Sequence, residues 1–145
     1  MNKNQTYKIL MIEDKEHQAY LMKLLLDRHE QPFNVHVVND PIAGLESLAQ
    51  NSFDAVILDY NLPHMNGLEI LQKIMEKKYD TSVIMVTGQG DERVAVQAMR
   101  MGAQDYLTKT HYYLNLLPDI LIRAIEEKRL TSRLEQSEKS FFSLF

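Results

Sequence analysis

The 145-residue chain has no cysteine and no tryptophan, only five glycines and four prolines, and no excess of basic residues. Without a thiol there is no disulfide, no thiolate nucleophile and no sulfur-ligated metal. The scarcity of glycine and proline excludes collagen-like and low-complexity chains, and 45% hydrophobic with 25% charged residues is the composition of an ordinary globular domain. Sixteen lysines and arginines against 20 aspartates and glutamates leave a net charge of -4. That is not the basic balance needed to neutralise a phosphate backbone, so direct nucleic-acid binding is not expected. Apolar runs such as residues 83–86 fall far short of the roughly 20 residues that span a bilayer, so no membrane segment is expected. The first 12 residues contain no secretory apolar stretch, which makes the cytoplasm the default compartment.

What is present alternates in character. Residues 7–12, 35–38, 55–58 and 82–86 are short, mostly apolar runs, the pattern of strands covered on both faces of a parallel sheet, and residues 105–108 form a weaker fifth run. Between them, apolar residues recur at helical spacing: Leu21, Leu24 and Leu25; Ile42, Leu45, Leu48 and Ala49; Leu68, Leu71, Ile74 and Met75; Val94, Ala95, Ala98 and Met101. Asp40-Pro41 reads as an N-cap followed by proline at the first helical position, and Gly102 follows the last periodic residue of the fourth helix. A βαβαβαβαβα order with right-handed crossovers predicts an α/β fold, a doubly wound sheet of five parallel strands. Ligands in such folds lie beyond the carboxyl ends of the strands, near a switch in strand order.

At those ends the chain places Glu13 and Asp14 after the first strand, Asp59 after the third, Thr87 and Gly88 after the fourth and Lys109 after the fifth. Carboxylates gathered in one crevice repel each other, by about 4 kcal/mol for two unit charges 4 Å apart at an effective dielectric near 20. A lysine or a divalent cation must relieve this, and oxygen donors without sulfur or paired histidine favour Mg²⁺. The five histidines, at positions 17, 29, 36, 64 and 111, show no ligand spacing. The same groups suit a phosphoryl ligand: a carboxylate can be the nucleophile toward phosphorus, while an ammonium, a hydroxyl and Mg²⁺ neutralise its oxygens. Gly88-Gln89-Gly90 is not a dinucleotide fingerprint, because Arg93 stands where a third glycine belongs, and there is no Walker A sequence.

The set Glu13-Asp14, Asp59 to Gly67 (DYNLPHMNG), Val86-Thr87-Gly88 and Gly102 to Lys109 (GAQDYLTK) resembles the receiver domain of two-component response regulators. The resemblance runs from about Tyr7 to Lys128, and implies a flavodoxin-like (βα)5 fold and a receiver over residues 5–128. It implies that Asp59 accepts a phosphoryl group from a sensor histidine kinase or a histidine phosphotransfer protein. Glu13, Asp14, Asp59 and the backbone carbonyl of Asn61 would hold Mg²⁺, and Lys109 and Thr87 would contact the phosphoryl oxygens. Tyr106 would be the switch aromatic, and the face of the fourth helix, fifth strand and fifth helix would report to an output domain or partner. Such a module is regulatory rather than an enzyme, assisting only its own phosphorylation and dephosphorylation. By the same resemblance Asn61 and Gln89 occupy positions that tune hydrolysis. Thr110 stands where the family commonly has proline, which opens the question whether the Lys109-Thr110 bond is cis.

Other readings are weaker. A Mg²⁺-dependent aspartyl-phosphate phosphatase would want a second acid two residues beyond the nucleophile, where this chain has Asn61. A receiver that signals without phosphate keeps the fold and loses the chemistry. Taken singly, Asp59 could cap a helix, Thr87 could end a strand and Lys109 could be a solvated lysine, but together they form one constellation.

Toward the C-terminus, Pro118 is expected to open a helix that buries Leu117, Leu121, Ala124 and Ile125 and then outruns the domain through Glu126 to Arg129, Leu130 and Leu134. Residues 129–145 read as a helical extension or the start of a truncated output or sensor domain, and residues 134–145 look like the opening of a PAS domain. A homodimer through the helical tail is the alternative expectation.

Overall fold

The computed structural model describes residues 4–88 and 90–142. Five parallel strands, β1 (Tyr7–Ile12), β2 (Phe33–Val38), β3 (Ala55–Asp59), β4 (Ser82–Thr87) and β5 (Asp105–Thr108), form one sheet in the order β2-β1-β3-β4-β5. Five helices alternate with them: α1 (Glu16–Asp27), α2 (Pro41–Gln50), α3 (Gly67–Glu76), α4 (Glu92–Met101) and α5 (Tyr113–Phe142). The doubly wound α/β expectation is met. Strand β2 begins two residues earlier than the apolar run indicated, and β3 and β4 each extend one residue further, so that Asp59 and Thr87 are the last residues of their strands.

Consecutive strand residues feed opposite cores, as the pleat requires. Ile9, Met11, Ala55 and Ile57 pack with Met22 and Leu26 of α1 and Leu117 and Leu121 of α5. Leu10, Ile12, Val56 and Leu58 pack with Leu48 of α2, Ile70, Leu71 and Ile74 of α3 and Ala98 of α4. Each such fully buried aliphatic side chain contributes roughly 1.5–3 kcal/mol, so the sheet is the rigid platform under the strand ends.

The helix signals act as read. Asp40 accepts from the Ile42 backbone N–H at 3.1 Å with Pro41 opening α2. Gly102 ends α4 at φ 116°, a left-handed conformation that favours glycine, and a Cβ there would lie 2.6 Å from Met75 Sδ, which would have to move. Pro118 departs from expectation: it lies inside α5, which starts five residues earlier at Tyr113. The opening turn is held by the Thr110 and Tyr112 carbonyls, which accept from Tyr113, Asn115 and Leu116, and the cost of one absent N–H in the second turn is outweighed by burying Leu117, Leu121, Ala124 and Ile125 below it.

Helix α5 passes without interruption through residues 128 and 129 to Phe142. Arg129 holds it against the amino-terminal ends of the strands, reaching Asp54 Oδ1 at 2.9 Å and Gln5 Oε1 at 2.8 Å and lying over the Tyr7 ring at 5.0 Å. Beyond it Leu130 and Leu134 are 57% and 58% exposed. Ser143, Leu144 and Phe145 of the PAS-like stretch lie outside the described residues, as does Gln89. Among the described residues no helix is long and apolar enough to cross a membrane.

Candidate functional site

The chain passes from β1 to β2 on one side and returns to β3 on the other, so a crevice opens between the carboxyl ends of β1 and β3. Glu13 and Asp14 follow β1, with the Glu13 N–H tied to the Val38 carbonyl at 3.0 Å, and Asp59 ends β3. Glu13 and Asp59 are buried and Asp14 is half-buried, and each offers an oxygen within 4.8 Å of the others.

Lys109 enters from β5. Its backbone N–H donates to the Thr87 carbonyl at 2.8 Å, which fixes the residue beside the end of β4. Its ammonium Nζ then lies 3.2 Å from Glu13 Oε1 and 3.3 Å from Asp59 Oδ1, and donates to Gln18 Oε1 on α1. No peptide bond among the described residues is cis, Lys109-Thr110 included.

One ammonium does not balance three carboxylates. Burial, and then the hydrogen bond and charge of Asp59, push the Glu13 carboxyl up from 4.5 to about 8, with Lys109 pulling the other way. Without metal the site thus favours the protonated form of Glu13 more than water does. With both groups ionised, Glu13 Oε2 and Asp59 Oδ2 have no donor, and Asp14 Oδ1 and Thr87 Oγ1 are likewise buried without a partner. Buried polar atoms are rarely left this way. Three orphaned carboxylate oxygens with no nitrogen or sulfur donor fit a hard divalent cation such as Mg²⁺.

The segment after β3 is folded tightly back on the site. Tyr60 N–H donates to the Val86 carbonyl at 2.9 Å, Gly67 N–H returns to the Tyr60 carbonyl at 2.9 Å, and Asn66 caps α3 by accepting from Glu69 N–H at 3.0 Å. Asn61 lies in this turn with its side chain exposed, and His64 takes a positive φ of 67°. Tyr106 is 44% exposed on β5, on the outside of the sheet rather than in the crevice.

Two residues at the site were not legible in advance. Gln18 lies in the first turn of α1, four residues after Asp14, where a helix following an acidic strand end turns back toward it. Position relative to Asp14 was the available signal. Tyr113, opening α5, lies within electrostatic reach of the same groups: burial chiefly raises its hydroxyl, Lys109 lowers it, and Glu13 and Asp59 raise it further.

The family described as the response regulator receiver domain matches residues 9–120. A curated relative, the transcriptional regulatory protein SrrA of Staphylococcus aureus, is 28% identical over 130 residues, covering 90% of this chain and 52% of its own length. The chain thus spans about half the length of the curated relatives it matches. Among solved structures, a response regulator receiver domain protein from Clostridium thermocellum is 32% identical with a TM-score of 0.76, covering 86% of this chain and 98% of that one. Full-length FixJ from B. japonicum is 27% identical with a TM-score of 0.80, covering 94% of this chain and 66% of that one.

Proposed function

Because the chain belongs to the response regulator receiver family, we propose that it is the phosphoacceptor module of a two-component system, with Asp59 as the acceptor. Receiver domains of response regulators are regulatory, and the role proposed here is regulatory rather than enzymatic. The observation that carries the reading is the buried Asp59 carboxylate, one oxygen 3.3 Å from the Lys109 ammonium and the other without a partner among three converging carboxylates.

In the proposed step an Asp59 carboxylate oxygen attacks phosphorus of a phosphohistidine on a sensor kinase or phosphotransfer protein. A P–O bond to Asp59 forms as the P–N bond breaks, and the electron pair leaves with the imidazole, which takes up a proton. Mg²⁺, held by Glu13, Asp14, Asp59 and the backbone carbonyl of Asn61, would neutralise charge on the transferring group. Lys109 supplies a second positive charge, and Thr87, whose hydroxyl lacks a partner, supplies a donor. Engagement of Thr87 frees space for Tyr106 to turn inward, which alters the face formed by α4, β5 and α5 and so signals to an output domain or partner.

The same reading places the receiver at residues 5–128 and assigns residues 129–145 to a helical connection toward a further domain, PAS-like in sequence, or to a homodimer contact. It also places the protein in the cytoplasm, where two-component phosphoryl donors act.

Acetyl phosphate with Mg²⁺ tests the chemistry: the intact mass should rise by one phosphoryl group, and the gain should vanish with EDTA or in Asp59→Asn. A gain in folded Asp59→Asn equal to the parent would overturn the acceptor assignment. No gain in the parent with either acetyl phosphate or a kinase would mean a receiver that works without phosphate.

A further inference from the structure

Lys109 has three ammonium hydrogens and can accept none. It donates to Glu13 Oε1 at 3.2 Å and to the side-chain carbonyl of Gln18, and it forms an ion pair with Asp59 Oδ1 at 3.3 Å. Both carboxylate contacts are longer than the roughly 2.7–2.9 Å of a good charge-assisted bond, so on their own they hold the ammonium loosely. A lysine stem has large rotamer freedom, and an acceptor on a neighbouring rigid helix removes much of it. Gln18 sits one residue before Ala19, which is buried in the core, so its backbone is anchored while its side chain remains half-exposed.

A phosphoryl group arriving at Asp59 is met by an ammonium only if Lys109 is already held beside that carboxylate. We propose, resting on the phosphoacceptor reading, that Gln18 is a positioning residue: its side-chain carbonyl holds the Lys109 ammonium beside Asp59 before and during phosphoryl transfer.

Gln18→Met keeps side-chain length and removes the amide, and with it the acceptor, and Gln18→Glu restores an acceptor. The test uses the full chain with saturating Mg²⁺ and acetyl phosphate, together with the NMR signal of the Lys109 ammonium protons, visible when hydrogen bonds slow their exchange. In Gln18→Met we expect loss of Lys109 proton protection and phosphorylation slower by roughly tenfold, the scale of one charge-assisted hydrogen bond. Mg²⁺ affinity should stay within about twofold, since Gln18 holds no metal. In Gln18→Glu, Lys109 protection should return. A folded Gln18→Met protein whose Lys109 protons stay as protected as in the parent overturns the inference, as does lost protection with an unchanged rate. Failure of the parent to take up phosphate would instead overturn the phosphoacceptor reading, while the Lys109 signal would still decide whether Gln18 holds the ammonium.

Discussion

Gly67 lies directly beneath Asp59: a Cβ built on Gly67 would come within 2.8 Å of the Asp59 carbonyl oxygen and 2.8 Å of Tyr60 Cα. The first residue of α3 is thus packed onto the backbone at the end of β3, and the turn from Asn61 to Asn66 closes over that contact. Because both are backbone atoms, they leave little room to relax.

Gly67→Ala should therefore destabilise the protein by about 1–3 kcal/mol, the cost of overpacking a close contact, and shift the residue 60–66 turn. Thermal melting and the amide spectrum of residues 59–67 would show it. A mutant as stable as the parent with unshifted amides would mean that α3 can move away at no cost.

Stability of the metal-free protein should depend on pH through Glu13. Its carboxyl is raised in the fold from 4.5 to about 8, so between those values the folded state binds more protons than the unfolded one. Stability should fall as pH rises through that window and level off above it. Melting in EDTA would detect the slope, and Glu13→Gln should remove it. A slope unchanged in Glu13→Gln would assign the proton to another group.

Lys109→Ala removes the cation that balances Glu13 and Asp59. The metal-free protein should lose stability as the buried carboxylates face each other without it. Mg²⁺ should bind at least as tightly as in the parent, because one positive charge has left the site, while the conformational response to phosphorylation should be lost. Calorimetric titration with Mg²⁺ and the Tyr106 environment after acetyl phosphate treatment read the two effects separately. Weakened Mg²⁺ binding in a folded mutant would contradict this balance of charge.

Arg129→Ala should leave phosphorylation untouched and loosen the helical extension. The Arg129-Asp54 pair is partly exposed, which limits its worth to about 1 kcal/mol or less. Hydrogen exchange should rise across residues 130–142, which follow Arg129 along α5, and should stay as in the parent for α1 to α4. Equal protection of residues 130–142 in both proteins would show that other contacts fix the extension.

Much of the fold could be read from residue order. Runs such as residues 55–58 are apolar at every position because both faces of a central strand are covered, and Leu68, Leu71, Ile74 and Met75 mark one helix face. Asp40-Pro41 and Gly102 mark helix ends because they act through their own backbone neighbourhood. Pro118 misled for the opposite reason: its local preference for a helix start lost to the burial of the α5 face below it, which only packing reveals.

The candidate site divides in the same way. Glu13, Asp14, Asp59, Thr87 and Lys109 were legible because a parallel sheet sends the residue at each strand end to the same edge, so sequence alone determined which groups meet. Sequence did not determine which oxygens are left unpartnered, how far Glu13 is driven from its ordinary protonation, or that Gln18 completes the hold on Lys109. Those depend on burial and on the pitch of α1 against the ends of β1 and β5. Distances of a few ångströms between segments 91 residues apart, Gln18 and Lys109, are decided only when the whole sheet has closed.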